Sequence, residues 1–79
     1  MISFAMRLTC LNHVGAFVKA ADTLPCDVMV KSGAYSVNGK SLMGILSLDT
    51  AEPMTVEVYG TEQEAETLKA SVRPYIVAS

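Results

Sequence analysis

The sequence predicts an α+β fold in the order β-α-β-β-α-β-α. It is an open-faced sandwich, a four-stranded, mostly antiparallel sheet with three helices on one face. Two patterns carry that expectation. In short runs apolar residues alternate with polar ones, the period of a half-buried strand. Between those runs they recur three and four apart, the period of a helix packed on one side. Turn and cap residues fall at the joins. At 79 residues the chain has room for one core, read here as a single domain over residues 1–79.

In the first run Ile2, Phe4, Met6 and Leu8 alternate with Ser3, Ala5, Arg7 and Thr9. Leu11, Val14, Val18 and Ala21 then form a helical stripe with Phe17 beside it; Asn12 is the expected N-cap and Pro25 closes the segment. Gly15 inside that helix costs about 1 kcal/mol relative to alanine, so the helix needs tertiary support. Residues 26–32 read as a second strand with Val28 and Val30 on one face. Ser32-Gly33 offers a turn into a short third strand, Ala34 to Val37, and Asn38-Gly39 is the strongest turn dipeptide in the chain. Ser41 precedes Leu42, Met43, Ile45, Leu46 and Leu48, which predicts a short helix capped by Ser41 and ended near Asp49. Pro53 opens a fourth strand in which Met54, Val56 and Val58 alternate with Thr55, Glu57 and Tyr59. Thr61-x-x-Glu64 is a capping box, and Ala65, Leu68 and Val72 form the inward stripe of the last helix. Pro74 ends it, leaving the apolar tail Tyr75-Ile76-Val77.

Composition narrows the function. Hydrophobic residues make up 51% and charged residues only 18%, which excludes intrinsic disorder and leaves some apolar surface exposed. A net charge of −2 and six scattered Lys and Arg residues cannot neutralise a row of phosphates, so nucleic acid is not an expected partner. No run approaches the roughly 20 apolar residues of a membrane helix. The N-terminus alternates in polarity instead of joining a basic region to an apolar block, so no signal peptide and a cytoplasmic location are expected. Cys10 and Cys26 are too far apart for a CxxC redox or zinc site, and read as packing residues in a reducing compartment.

The segment Val37-Asn38-Gly39-Lys40-Ser41-Leu42-Met43-Gly44-Ile45-Leu46-Ser47-Leu48 closely resembles the stretch around the regulatory serine of the HPr (phosphocarrier) family. That pattern reads V-N-x-K-S-[IL]-M-G-[IV]-[ML]-S-L, and nearly every position matches. The order of elements from Phe4 to Leu68 also fits. The resemblance implies a component of the bacterial sugar phosphotransferase system that passes a phosphoryl group through a histidine in G-[IL]-H-[AT]-R-P-A, just before the first helix. A neutral imidazole nitrogen is the nucleophile such chemistry needs. The arginine and the free amides of the helix start hold the phosphate's charge.

The chain departs from that motif. Matching Phe17-Val18-Lys19-x-Ala21 to the family's first helix without a gap puts the histidine position on Cys10. Aligning His13 instead requires deleting about three residues after it, and Val14-Gly15-Ala16 supply neither Arg nor Pro. On either alignment the phosphate-holding loop is truncated. His13 is the only histidine, so it reads as a first-turn or loop residue before it reads as a phosphoacceptor. Ser41 has a sufficient role as a cap, but the resemblance also implies a regulatory phosphorylation site, where about −1.5 to −2 charges would sit at a helix start. Leu42, Met43 and Leu46 are expected to be partly exposed as a docking patch, with Ile45 and Leu48 facing the sheet.

Glu62, Glu64 and Glu66 read as a solvated first turn. Asp27, Asp49 and Glu52 show no paired acid–base spacing, and a lone histidine builds neither a catalytic triad nor a metal site. The expectation is therefore a binding module with no cofactor and no enzymatic activity. Its partners would be phosphotransferase-system or regulatory proteins, including an HPr kinase, with room for a homo-oligomer. An active carrier using His13 in a shortened loop, and a divergent structural domain, are the alternatives.

Overall fold

Alternation along the strands builds the sheet. The computed structural model of the chain describes residues 1–49 and 52–77. β1 (Ile2–Met6), β2 (Asp27–Ser32), β3 (Tyr35–Asn38) and β4 (Met54–Tyr59) lie in the order β1-β4-β2-β3, and every neighbouring pair is antiparallel. The register sets Phe4 against Val56, Val56 against Val30, and Val30 against Val37. Side chains two apart share a face. One face therefore carries Met6, Met54, Val56, Val58, Val28 and Val30, all buried.

Three helices cover that face: α1 (Leu11–Asp22), α2 (Leu42–Leu46) and α3 (Glu62–Ser71). Val14, Phe17 and Ala21 of α1, Ile45 of α2, and Ala65 and Leu68 of α3 join the strand residues in one core. The capping box of α3 closes in both directions, with Thr61 N–H donating to Glu64 Oε1 at 2.8 Å and Glu64 N–H donating to Thr61 Oγ1 at 3.1 Å. Among the described residues no helix is long and apolar enough to cross a membrane.

Several details differ from the sequence reading. α1 starts two residues early, so its N-cap is Cys10 rather than Asn12, and the Cys10 side chain makes no cap bond. Leu11, expected in the inward stripe, is 64% exposed. At about 100° per residue it lies roughly 90° round from the middle of the Val14–Phe17–Ala21 stripe. α2 stops at Leu46, short of Asp49, where the chain tightens to bonds three residues back, Ser47 N–H to Gly44 O at 3.2 Å and Leu48 N–H to Ile45 O at 3.0 Å. β3 runs from Tyr35 to Asn38, one residue later than read.

The two glycine turns also divide their work. Gly33, at φ +59°, makes the two-residue loop with Ala34 between the paired Ser32 and Tyr35. Asn38-Gly39 closes no hairpin. Its glycine is needed for a close approach: the Gly39 amide donates to Val28 O at 2.6 Å, and a Cβ there would lie 2.8 Å from Val28 Cγ1.

Candidate functional site

The Asn38–Ser41 turn delivers Ser41 to the start of α2. Asn38 Oδ1 accepts the Lys40 amide at 2.9 Å and Asn38 O accepts the Ser41 amide at 3.0 Å, local bonds that hold the turn. Lys40 Nζ donates to Leu24 O at 2.6 Å, just beyond the end of α1, where a helix terminus favours a cation. Ser41 itself is the N-cap. Its backbone is extended and its half-buried Oγ accepts the Gly44 amide at 3.1 Å.

The next residues split by exposure. Ile45 is fully buried and Leu48 nearly so, while Leu42, Met43 and Leu46 are 41%, 77% and 44% exposed. A shallow cleft lined by Leu8, Cys10, Leu11, Leu46 and Leu48 joins this surface to the start of α1. Leu11 and the exposed Cys10 thus extend the apolar surface across two helices. The three-residue spacing to Val14 put Leu11 in the inward stripe, but its angle round the helix sets it at the stripe's margin.

His13 is the third residue of α1, inside its first turn. Its Nδ1 accepts the Thr9 amide at 3.3 Å and lies 3.2 Å from Thr9 Oγ1. The imidazole thereby reaches back to an amide ahead of the helix, much as Glu64 does at α3. Accepting at Nδ1 makes the neutral ring the Nε2–H tautomer. Tyr75 packs on the imidazole with ring centroids 4.4 Å apart and planes inclined by 30°. Thr9, Cys10 and Tyr75 are its neighbours here, and the position immediately before α1 belongs to Cys10.

The helix-free face of the sheet holds a polar cluster that the sequence reading did not find. Glu57, in the middle of β4, is 8% exposed. Its Oε1 accepts the Tyr59 hydroxyl at 2.7 Å and its Oε2 pairs with Lys31 Nζ at 3.3 Å. The Tyr59 hydroxyl and then Lys31 hold the Glu57 carboxyl below its ordinary value against the opposing effect of burial, and Glu57 in turn raises Tyr59. Same-face spacing along β4 was legible; the cross-strand lysine was not. Among the described residues no group of three or more His, Cys, Asp or Glu side chains gathers to hold a metal ion.

The family model for the PTS HPr component phosphorylation site matches residues 12–76, which include His13 and Ser41 but not Cys10. HPr-C-His from Thermoanaerobacter tengcongensis superposes with a TM-score of 0.76 at 23% identity, over 92% of each chain. The phosphocarrier protein HPr of Bacillus anthracis gives 0.69 at 25% identity, over 90% of this chain and 95% of that one. Crh, the catabolite repression containing protein of Bacillus subtilis, described as an intertwined dimer with a swapping domain, gives 0.67 at 26% identity, over 99% and 93%. No curated protein matches the chain.

Proposed function

The chain belongs to the HPr family of the phosphotransferase system, and on that premise we propose that it is a regulatory, protein-binding member without phosphohistidine transfer. Proteins of this family are phosphocarriers and not enzymes. In this reading residues 1–79 act as one cytoplasmic domain. Ser41 is the regulatory phosphorylation site, and Leu42, Met43 and Leu46 are the docking surface for phosphotransferase-system or regulatory proteins.

The state of His13 carries the reading. A phosphoacceptor nitrogen must offer a free lone pair to the incoming phosphorus. Here Nδ1 is engaged by Thr9 and one ring face is packed on Tyr75. On either alignment of the family motif, with its histidine at Cys10 or at His13, the phosphate-holding loop is truncated, and Val14-Gly15-Ala16 after His13 supply no arginine to hold a phosphate.

Ser41 fits a switch. Ser41 is partly buried, next to the exposed Leu42 and Met43. A phosphate there adds about −1.5 to −2 charges to an apolar surface, at a helix start that tolerates them. The partner that adds it is an HPr kinase. Because Crh is described as a dimer, sedimentation equilibrium belongs beside the partner assays.

The test is incubation with the phosphotransferase donor enzyme and phosphoenolpyruvate, and separately with an HPr kinase and ATP. The expected results are no acid-labile phosphate from the first and one phosphate from the second, absent in Ser41→Ala. Acid-labile phosphate that disappears in His13→Ala would put the carrier reading in its place.

A further inference from the structure

The chain's last described residues run along the outer edge of β1. Arg7 N–H donates to Tyr75 O at 2.8 Å and Val77 N–H donates to Ala5 O at 3.0 Å, with Met6 and Ile76 forming an isolated antiparallel bridge between them. Residues 75–77 thereby pair an edge that would otherwise present open backbone groups from Ala5 to Arg7. The same segment reaches α1 through the Tyr75 ring on His13. From the other side Thr9, in the connection leaving β1, donates to His13 Nδ1.

We propose that residues 75–77 form a clasp that controls access to the His13 imidazole. Fastened on β1, the segment covers the ring; lifted, it uncovers the imidazole and the β1 edge together. Tyr75 supplies both links, its carbonyl to Arg7 and its ring to His13, so the two contacts open as one event. Lifting is inexpensive compared with opening the sheet. Held on an edge strand by two backbone bonds, the segment opens locally while the central strands stay closed. The proposal rests on the reading that His13 is not a phosphoacceptor in the closed chain, and it names what keeps it so.

Diethyl pyrocarbonate tests it, because His13 is the only histidine. A ring nitrogen forms an N–C bond to the carbethoxy carbon, the ring proton goes to solvent, and the ethyl carbonate leaving group breaks down to ethanol and carbon dioxide. The N-carbethoxyimidazole absorbance therefore reports one site. Tyr75→Ala should react roughly two- to tenfold faster than wild type, the factor that matches a lost aromatic pair. Tyr75→Phe, which keeps the ring, should react at the wild-type rate. Val77→Pro removes the donor to Ala5 O without touching the ring, and should also react faster. Hydrogen exchange supplies the structural readout. The Arg7 amide should lose protection in Tyr75→Ala and Val77→Pro, while the β2–β4 ladder keeps its own.

If Tyr75→Ala fails to fold, Val77→Pro still decides the matter through the same two measurements. Wild-type rates in both variants, or faster modification with the Arg7 amide still protected, would overturn the clasp. No phosphotransferase protein enters this assay. Histidine phosphorylation of the wild type would refute the functional reading alone, and an unchanged carbethoxylation rate would refute the clasp alone.

Discussion

Replacing Met43 with glutamate separates surface from core on a helix of only five residues. Met43 is 77% exposed and Ile45, two residues on, is fully buried. A surface substitution that breaks no cap or pair changes stability by about 0.5 kcal/mol or less. In a domain of this size that is a shift in Tm of about 2–4 °C. Ile45→Ala removes a filled core position at about 2–5 kcal/mol, a fall of at least about 8 °C. Docking reverses the order. Burying a side chain of this kind is worth about 1.5–3 kcal/mol, and with most of Met43 still in water about 1–2 kcal/mol of that remains for a partner. Losing it weakens binding roughly 5- to 30-fold, and an unpaired carboxylate in the contact adds to the loss. Calorimetry gives the first quantity. The kcat/KM of an HPr kinase on Ser41, with Met43→Glu as substrate, gives the second. A drop in Tm beyond about 8 °C, or phosphorylation at the wild-type rate, would refute the assignment of Met43 to an interface.

Ser41→Ala should remove kinase-dependent phosphate and cost about 0.5–2 kcal/mol through the lost cap on the Gly44 amide, whereas Ser41→Asp, which keeps an acceptor, should retain most of that stability by thermal melting. The Glu57 carboxyl is held below its ordinary value of 4.5, so the folded chain ionises it more readily than the unfolded chain. That stabilisation is present above the ordinary value and is lost as pH falls through the lower folded value. The wild-type Tm should therefore drop more steeply in acid than that of Glu57→Gln, and parallel acid limbs would count against the Tyr59–Glu57–Lys31 cluster. Tyr59 is raised above 10.0 by the same contact, so its contribution is present below that pH and lost above it; in Tyr59→Phe the alkaline limb should flatten. Gly39→Ala sets a methyl 2.8 Å from Val28 Cγ1 and 3.0 Å from its carbonyl, and should lower Tm and loosen the exchange of the Gly44 and Ile45 amides. Unchanged exchange there would show that the turn can shift at no cost.

What the sequence reveals most plainly is local. Alternation at Met54, Val56 and Val58, the Thr61–Glu64 box and the Ser41 cap each depend on residues a few positions apart, and each stands in the structure where its spacing puts it. The antiparallel sheet with three helices follows from their order, and the comparisons bear out the HPr family. Features built by distant residues were hidden. The Arg7–Tyr75 and Ala5–Val77 bonds join opposite ends of the chain, and nothing in an apolar tail marks it as an edge partner. Lys31 meets Glu57 through the β2–β4 register, which composition does not encode. The start of α1 was misplaced because Asn12 has the chemistry of a cap, while the actual cap residue, Cys10, makes no side-chain bond.

Phosphorus NMR on one sample holding both phosphoryl sources asks the central question directly. The chain is incubated with the donor enzyme and phosphoenolpyruvate, then with an HPr kinase and ATP, and the purified protein is observed across a pH series. A phosphoserine is a monoester whose second ionisation lies at about pH 6, and it survives acid. A phosphohistidine is an acid-labile phosphoramidate. The expected spectrum is a single protein resonance that titrates near that pH, persists after acid treatment and is absent in Ser41→Ala. A resonance lost in acid and absent in His13→Ala would contradict the claim that this member of the family has exchanged phosphohistidine transfer for a seryl switch.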